Sequence, residues 1–147
     1  IASLLLTLAR HRLSAALLLW ATVGAVVLNN VVKLVFDRPR PQIFPWATHA
    51  ATTSFPSGHA MSAAAVYGTI AWVTARLAAR RATRRAIHAA AIALVGVVCL
   101  SRLYLGVHYP SDVIAGALLG TAWAGFCAAV LEAAARRRRD RPGAPPR

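Results

Sequence analysis

The stretch LSAALLLWATVGAVVLNNVVKLVF, Leu13–Phe36, decides the fold: it is apolar almost throughout and its one charge, Lys33, comes near the end. A bilayer core is crossed by about 20 apolar residues in a helix, and this block is long enough. Three further blocks of similar character follow, from about Ser57 to Ala75, Ala86 to Leu105 and Pro110 to Glu132. Ile1–Ala9 is apolar but too short to span, and the first residue is Ile rather than Met. These nine residues read as the tail of an earlier helix, in a sequence truncated at its N-terminus. The expected fold is all-α, a polytopic transmembrane bundle of four full spans plus a partial N-terminal one.

Composition agrees. The chain has 147 residues, is 58% hydrophobic and only 14% charged, against about 25% charged in a soluble domain. One membrane domain over residues 1–135 leaves a short basic tail, 136–147, whose prolines and arginines predict disorder. Pro39, Pro41 and Pro45 forbid a regular helix between the first two spans. Cys99 and Cys127 fall inside apolar blocks and read as small buried hydrophobes rather than a disulfide or a metal pair. Trp20, Trp72 and Trp123 fit either interfacial anchors or packing residues.

The net charge of +13 suggests a nucleic-acid partner until its distribution is considered. Arg10 and Arg12 precede the first block, Arg76 to Arg85 separate the second from the third, and Arg136 to Arg147 follow the last. In an up-and-down bundle these segments share one side, as the positive-inside rule requires. The remaining basic residues, Lys33, Arg38, Arg40 and Arg102, then lie on the outer side. Anionic membrane lipids are expected partners of the inner arginines, and no nucleic acid is expected.

Three polar clusters also converge on that outer face: Lys33 with Arg40-Pro41, then Pro56-Ser57-Gly58-His59, then Ser101-Arg102 followed by His108 and Asp112. In an apolar chain such groups are costly unless they meet one another or water. Lys33, Arg40 and Arg102 supply cations for a phosphate and for the charge of its transition state. Ser57, Gly58 and His59 stand at a helix N-terminus, where backbone N–H groups favour an anion. Gly58 permits close backbone approach, and Ser57 serves as a hydroxyl donor, an N-cap or both. If a helix begins at Pro110, Asp112 reaches one nitrogen of His108 and fixes its tautomer, leaving the other nitrogen for attack on phosphorus. Asp37 and Asp112 are the only carboxylates on this face, so no metal site and no cofactor are expected. Arg38 is at most a secondary phosphate contact, and Asn29 and Asn30 bridge helices or line the site.

The spacing of these clusters resembles the signature of the type 2 phosphatidic acid phosphatase (PAP2) superfamily: Lys, six residues, Arg-Pro; Pro-Ser-Gly-His; Ser-Arg, five residues, His, three residues, Asp. Every motif position is present between Lys33 and Asp112. The resemblance implies a histidine nucleophile, His108, that forms a phosphohistidine, with His59 as general acid and Asp112 as its orienting carboxylate. It implies phosphate binding by Lys33, Arg40, Ser57, Gly58 and Arg102. The expected substrate is a lipid phosphate or diphosphate: polyprenyl diphosphate (undecaprenyl diphosphate first), phosphatidic acid or phosphatidylglycerol phosphate. The expected setting is the outer face of a bacterial plasma membrane. Two alternatives share the signature, a vanadate-dependent haloperoxidase-like enzyme and a non-catalytic membrane binding module of the same fold. The four spans argue against the first, and the intact motif against the second.

Overall fold

The computed structural model describes residues 12–42 and 52–139. The expected N-terminal partial span, Pro45 and the chain beyond 139 lie outside the described residues. Four helices follow in order: α1 (Arg12–Val35), α2 (Gly58–Leu77), α3 (Arg81–Tyr104) and α4 (Pro110–Arg139). They match the expected blocks, with two differences at the basic ends. Helix α3 begins at Arg81 rather than Ala86, and α4 continues to Arg139, beyond the expected boundary at 135. Arginine is a good helix former, and neither stretch contains Gly or Pro to stop it.

Three segments are long and apolar enough to cross a membrane: Ser14–Val35, Arg81–Tyr104 and Pro110–Ala133. Helix α2, expected as a fourth, is less apolar because its place is central. It packs most extensively on α4, then on α3 and α1, and buries Ala60, Met61, Ala63, Ala64, Ala65, Ala71 and Ala75. Small residues let its neighbours approach closely, and a hydropathy count gives alanine little weight. On α4, Gly116 and Gly120 provide the matching surface. A Cβ at Gly116 would strike the Ser57 carbonyl, and one at Gly120 would strike the Met61 carbonyl and come within 2.9 Å of the Ala64 Cβ. This is the small-residue contact that packs helices in lipid, where no hydrophobic drive brings them together.

Large apolar side chains point outward instead. Helix α3 buries none of its residues, and Leu34, Ile92, Val97 and Leu118 are all exposed, as hydrocarbon contact requires. Trp123 is a packing residue: its indole N–H donates to the Ala21 carbonyl at 3.0 Å, and it fills the space beside Gly24. Trp20 is exposed, and Trp72 lies under the Arg76 guanidinium, 4.4 Å from the ring centroid. Cys127 is buried and Cys99 half-buried, and both are free thiols.

The connections at one end carry the polar clusters. Helix α3 is capped by Leu105, whose N–H bonds to the Ser101 carbonyl at 3.0 Å, and Gly106 follows at φ 70°. Only glycine takes that left-handed value without steric cost, which stops the helix sharply. Pro110 opens α4 as the first helical residue, where its missing N–H costs nothing. The C-terminal ends of α1 and α3 and the N-terminal ends of α2 and α4 therefore meet at one end of the bundle.

Candidate active site

A cavity of about 790 Å³ opens at this end between α1, α2 and α3. Lys33, Arg40, Gly58, His59, Arg102 and His108 all line it, so the structure brings together six of the eight residues singled out by spacing. The other two, Ser57 and Asp112, are fully buried behind it. Asn30, Ser62, Tyr67, Val26, Val66 and Val98 continue the wall along the helices, so that a charged end grades into an apolar one.

Lys33 is directed by the loop that crosses the site. Its ammonium donates to the Thr53 carbonyl and lies 3.4 Å from the Thr52 hydroxyl. Arg40 is held likewise: Nε donates to the Thr52 carbonyl at 2.8 Å and Nη1 to the Val107 carbonyl at 2.7 Å. Carbonyl dipoles thus fix both cations without neutralising them. Arg102, from the last turn of α3, donates through Nε to Ser101 Oγ at 3.2 Å.

Helix α2 starts under the same loop. Ser57 occupies the N-cap position with extended backbone, but its hydroxyl makes no capping bond and is buried without a hydrogen-bond partner among the described residues. Its N–H instead donates to the Asp112 carbonyl at 3.0 Å, tying the starts of α2 and α4 together. Asn29 is a buried bridge rather than an exposed polar group: its amide donates to the Pro56 carbonyl at 3.4 Å. It also explains Gly58, because a Cβ there would come within 2.9 Å of Asn29 Oδ1. Asn30 is exposed on the cavity wall and bonds back to Val26 at 3.0 Å.

His108 sits in the turn between α3 and α4, only 6% exposed. Its two ring nitrogens have different surroundings. Nδ1 faces Asp112 Oδ2 and Ser54 Oγ, each at 3.5 Å, and Nε2 faces Arg40 Nη1 at 3.4 Å. Burial pushes the imidazole pKa down to about 4, with Arg40 next and Lys33 adding to it, against the opposing charge and hydrogen bond of Asp112. Neutral His108 with Nδ1 toward the carboxylate leaves the Nε2 lone pair on the cavity side.

Asp112 does more than face the histidine. It stands in the first turn of α4, and its Oδ2 accepts the Tyr109 N–H at 2.9 Å, half of a capping box. The same oxygen accepts the Ser54 hydroxyl. Oδ1 pairs with Arg38 Nη1 at 2.9 Å. Spacing gave no sign of Ser54, which is 58 residues away from Asp112 along the chain. Arg38, read from sequence as a secondary phosphate contact, turns instead to Asp112 and to Ser111 Oγ at 2.7 Å. It is not among the cavity-lining residues.

Residues 14–136 match the family model described as the PAP2 superfamily. The chain belongs to the PAP2 superfamily. It is 39% identical over 95 residues to phosphatidylglycerophosphatase B of Bacillus subtilis (strain 168), covering 64% of this chain and 46% of that protein. It is 32% identical over 137 residues to an undecaprenyl-diphosphatase of Sulfolobus acidocaldarius, covering 90% of this chain and 62% of that one. A crystal structure described as the first transmembrane PAP2 type phosphatidylglycerolphosphate phosphatase from Bacillus subtilis superposes with a TM-score of 0.76 at 33% identity, covering 86% of this chain and 62% of that chain. A lipid A 1-phosphatase of Rhizobium johnstonii is 34% identical over 125 residues, covering 79% of this chain and 47% of that protein. The chain thus spans about half the length of the curated relatives it matches first.

Proposed function

We propose that this PAP2 protein is a membrane phosphatase that hydrolyses a lipid phosphate or diphosphate through a phosphohistidine. One observation carries the proposal: Lys33, Arg40, His59, Arg102 and His108 line a single cavity, with His108 held between Asp112 and Arg40. His108 Nε2 attacks phosphorus as the bond to the leaving oxygen breaks, and His59 gives that oxygen its proton. Water then attacks the phosphohistidine, His59 takes its proton, the P–N bond breaks, and inorganic phosphate leaves with both histidines restored. Asp112 keeps the Nδ1–H of His108 in place and stabilises the imidazolium character that develops. Lys33, Arg40 and Arg102 hold the non-bridging oxygens, and the α2 N-terminus at Gly58 adds backbone donors. Ser57 contributes its buried hydroxyl at that terminus. The chemistry runs on these cations, without a metal ion or cofactor.

The substrate is an amphiphile whose phosphate reaches the charged end of the cavity while its tail follows the apolar wall into the bilayer. The relatives' names support this class, covering a phosphatidylglycerophosphate, a lipid A phosphate and undecaprenyl diphosphate. We place α2 across the membrane beside the three apolar helices, which gives four full spans. With the Arg-rich segments inside, the cavity opens on the outer face of a bacterial plasma membrane. The outward bulk of α3 favours this setting over a soluble haloperoxidase-like enzyme, and the assembled histidines and cations favour an enzyme over a binding module.

The test is phosphate release from a panel of lipid phosphates by purified protein in detergent, with acid-quench trapping of phosphoenzyme. Wild type should release phosphate and trap a labelled intermediate, whereas His108→Ala should do neither. Release at the wild-type rate by His108→Ala would remove the mechanism. No release from any lipid phosphate or diphosphate by wild type would remove the function.

A further inference from the structure

The pairing of Arg38 with Asp112 is unlike that of any other site cation. Lys33 and Arg40 rest on backbone carbonyls, and Arg102 bonds to a neighbouring serine. Arg38 instead places Nη1 at 2.9 Å from Asp112 Oδ1 and 2.7 Å from Ser111 Oγ. Its guanidinium also lies 4.2 Å from the centroid of the Tyr109 ring. Tyr109, just before α4, and Ser111 and Asp112 in its first turn therefore grip one side chain. On the opposite oxygen, Asp112 Oδ2 accepts the Ser54 hydroxyl and the Tyr109 N–H. The two arms are joined, since the Ser54 N–H donates to the Arg38 carbonyl at 2.9 Å. The carboxylate is fully buried and bonded on both oxygens, with Oδ2 3.5 Å from the imidazole Nδ1.

We propose that Arg38 and Ser54 are positioning residues that clamp Asp112 from the side away from the cavity and thereby fix the orientation and charge of His108. Neither belongs to the spacing signature, and Arg38 does not line the cavity, so its action on the reaction passes through Asp112. The direction of the effect follows from the charges around the imidazole. Lys33 from α1, Arg40 from the loop, His59 from α2 and Arg102 from α3 face the cavity, and Asp112 from α4 is the one anion beside His108 among the described residues. Arg38 compensates that anion from behind. Removing its charge leaves Asp112 to act on His108 alone, which favours imidazolium. Removing the Ser54 hydroxyl acts in the same sense, because Oδ2 then has one donor fewer to share with the ring. A protonated His108 cannot attack, so the loss must appear in turnover and in its pH dependence rather than in substrate binding.

The experiment follows His108 directly in histidine-selective ¹⁵N-labelled protein in detergent. His108 is identified among the five histidines of the chain by comparison with His108→Ala. In Arg38→Gln the titration midpoint of His108 should rise by about one pH unit, and Arg38→Lys should restore most of that shift. Ser54→Ala should move the midpoint in the same direction by less. The kinetic arm rests on the proposed phosphatase reading: a midpoint one unit above about 4 still leaves His108 neutral at pH 7, so Arg38→Gln should lower kcat there about tenfold through lost orientation of the ring and raise the acid limb of the profile, with KM within about twofold. If Arg38→Gln does not fold, Ser54→Ala decides the question by the same two readouts. An unchanged midpoint in folded Arg38→Gln or Ser54→Ala overturns the inference, as does a raised KM at constant kcat, which would make Arg38 a phosphate contact. Wild-type protein that releases no phosphate but shows the midpoint shift would overturn the phosphatase reading and leave the clamp standing.

Discussion

On the proposed mechanism, the buried imidazole of His108 sets the acid side of the reaction. Its ordinary pKa is about 6.5, and burial together with Arg40 and Lys33 pushes it down to about 4. The group whose neutral form attacks is therefore neutral over a wider range than a free histidine. At pH 5 a group titrating at about 4 is ~90% neutral, whereas one titrating at about 6.5 is only ~3% neutral, a difference of ~30-fold in competent enzyme. The free-enzyme profile of kcat/KM should accordingly keep most of its value from pH 7 down to pH 5, once the substrate is corrected for its own phosphate titration near pH 6. Bound phosphate opposes the shift, so the kcat profile should fall off at a higher pH than kcat/KM. The assay is initial-rate phosphate release at a series of pH values, alongside the ¹⁵N titration of His108. A corrected limb and a resonance midpoint both near 6.5 would mean that the cations and burial do not govern this ring.

Other outcomes follow from the same geometry. In His59→Ala, an aryl phosphate with a good leaving group should recover much of the first step while an alkyl phosphate should not; equal losses for both would restrict His59 to holding phosphate. Gly120→Val places a side chain against the Met61 carbonyl and the Ala64 Cβ, and should cost about 1–3 kcal/mol as overpacking, read as a lower Tm in detergent; an unchanged Tm would show that α2 and α4 can separate freely. Activity should stay within about twofold in excess EDTA, since the cations are expected to carry the charge that magnesium carries elsewhere; loss restored by magnesium would overturn that balance. In a background without Cys99 and Cys127, Asp37→Cys should react with an impermeant thiol reagent on intact cells and Thr83→Cys only on opened ones; the reverse pattern would invert the topology.

Much of this was legible because membrane helices are written in length and polarity. The blocks at Leu13, Ala86 and Pro110 announce α1, α3 and α4 directly. Helix α2 is harder to read, since a central helix in lipid is chosen for small size rather than apolarity, and Gly116 and Gly120 on α4 make sense only once the facing Ala60 and Ala64 are placed. The cavity residues were legible where chemistry forces a rare residue: one lysine, and two histidines at helix ends. Ser54 and the partner of Arg38 were not. A serine in a loop is ordinary, and Arg38 sits two residues before a motif arginine, which suggests a second phosphate contact. Only the folded path of the loop, with Ser54 bonded to the Arg38 backbone, directs both toward Asp112.

That arrangement also accounts for how so apolar a chain tolerates its charges. Of the four basic residues at the cavity end of the bundle, Arg38 pairs with Asp112, leaving Lys33, Arg40 and Arg102 without a carboxylate partner among the described ion pairs. Histidines aside, the four cations and one carboxylate of the site sum to +3. A structural network would pair such cations with acids, because an ion pair offsets part of the desolvation cost. Here Lys33 and Arg40 receive carbonyl oxygens instead, which orient them and leave their charge in place. A unit charge at ~4 Å from each interacts by up to about 4 kcal/mol at an effective dielectric near 20, before desolvation is subtracted. The one pairing made, Arg38 with Asp112, protects the cavity from its own carboxylate. On the proposed mechanism, an incoming phosphate therefore meets three uncompensated cations and a neutral nucleophile, and the spreading charge of the transition state finds its partners already oriented.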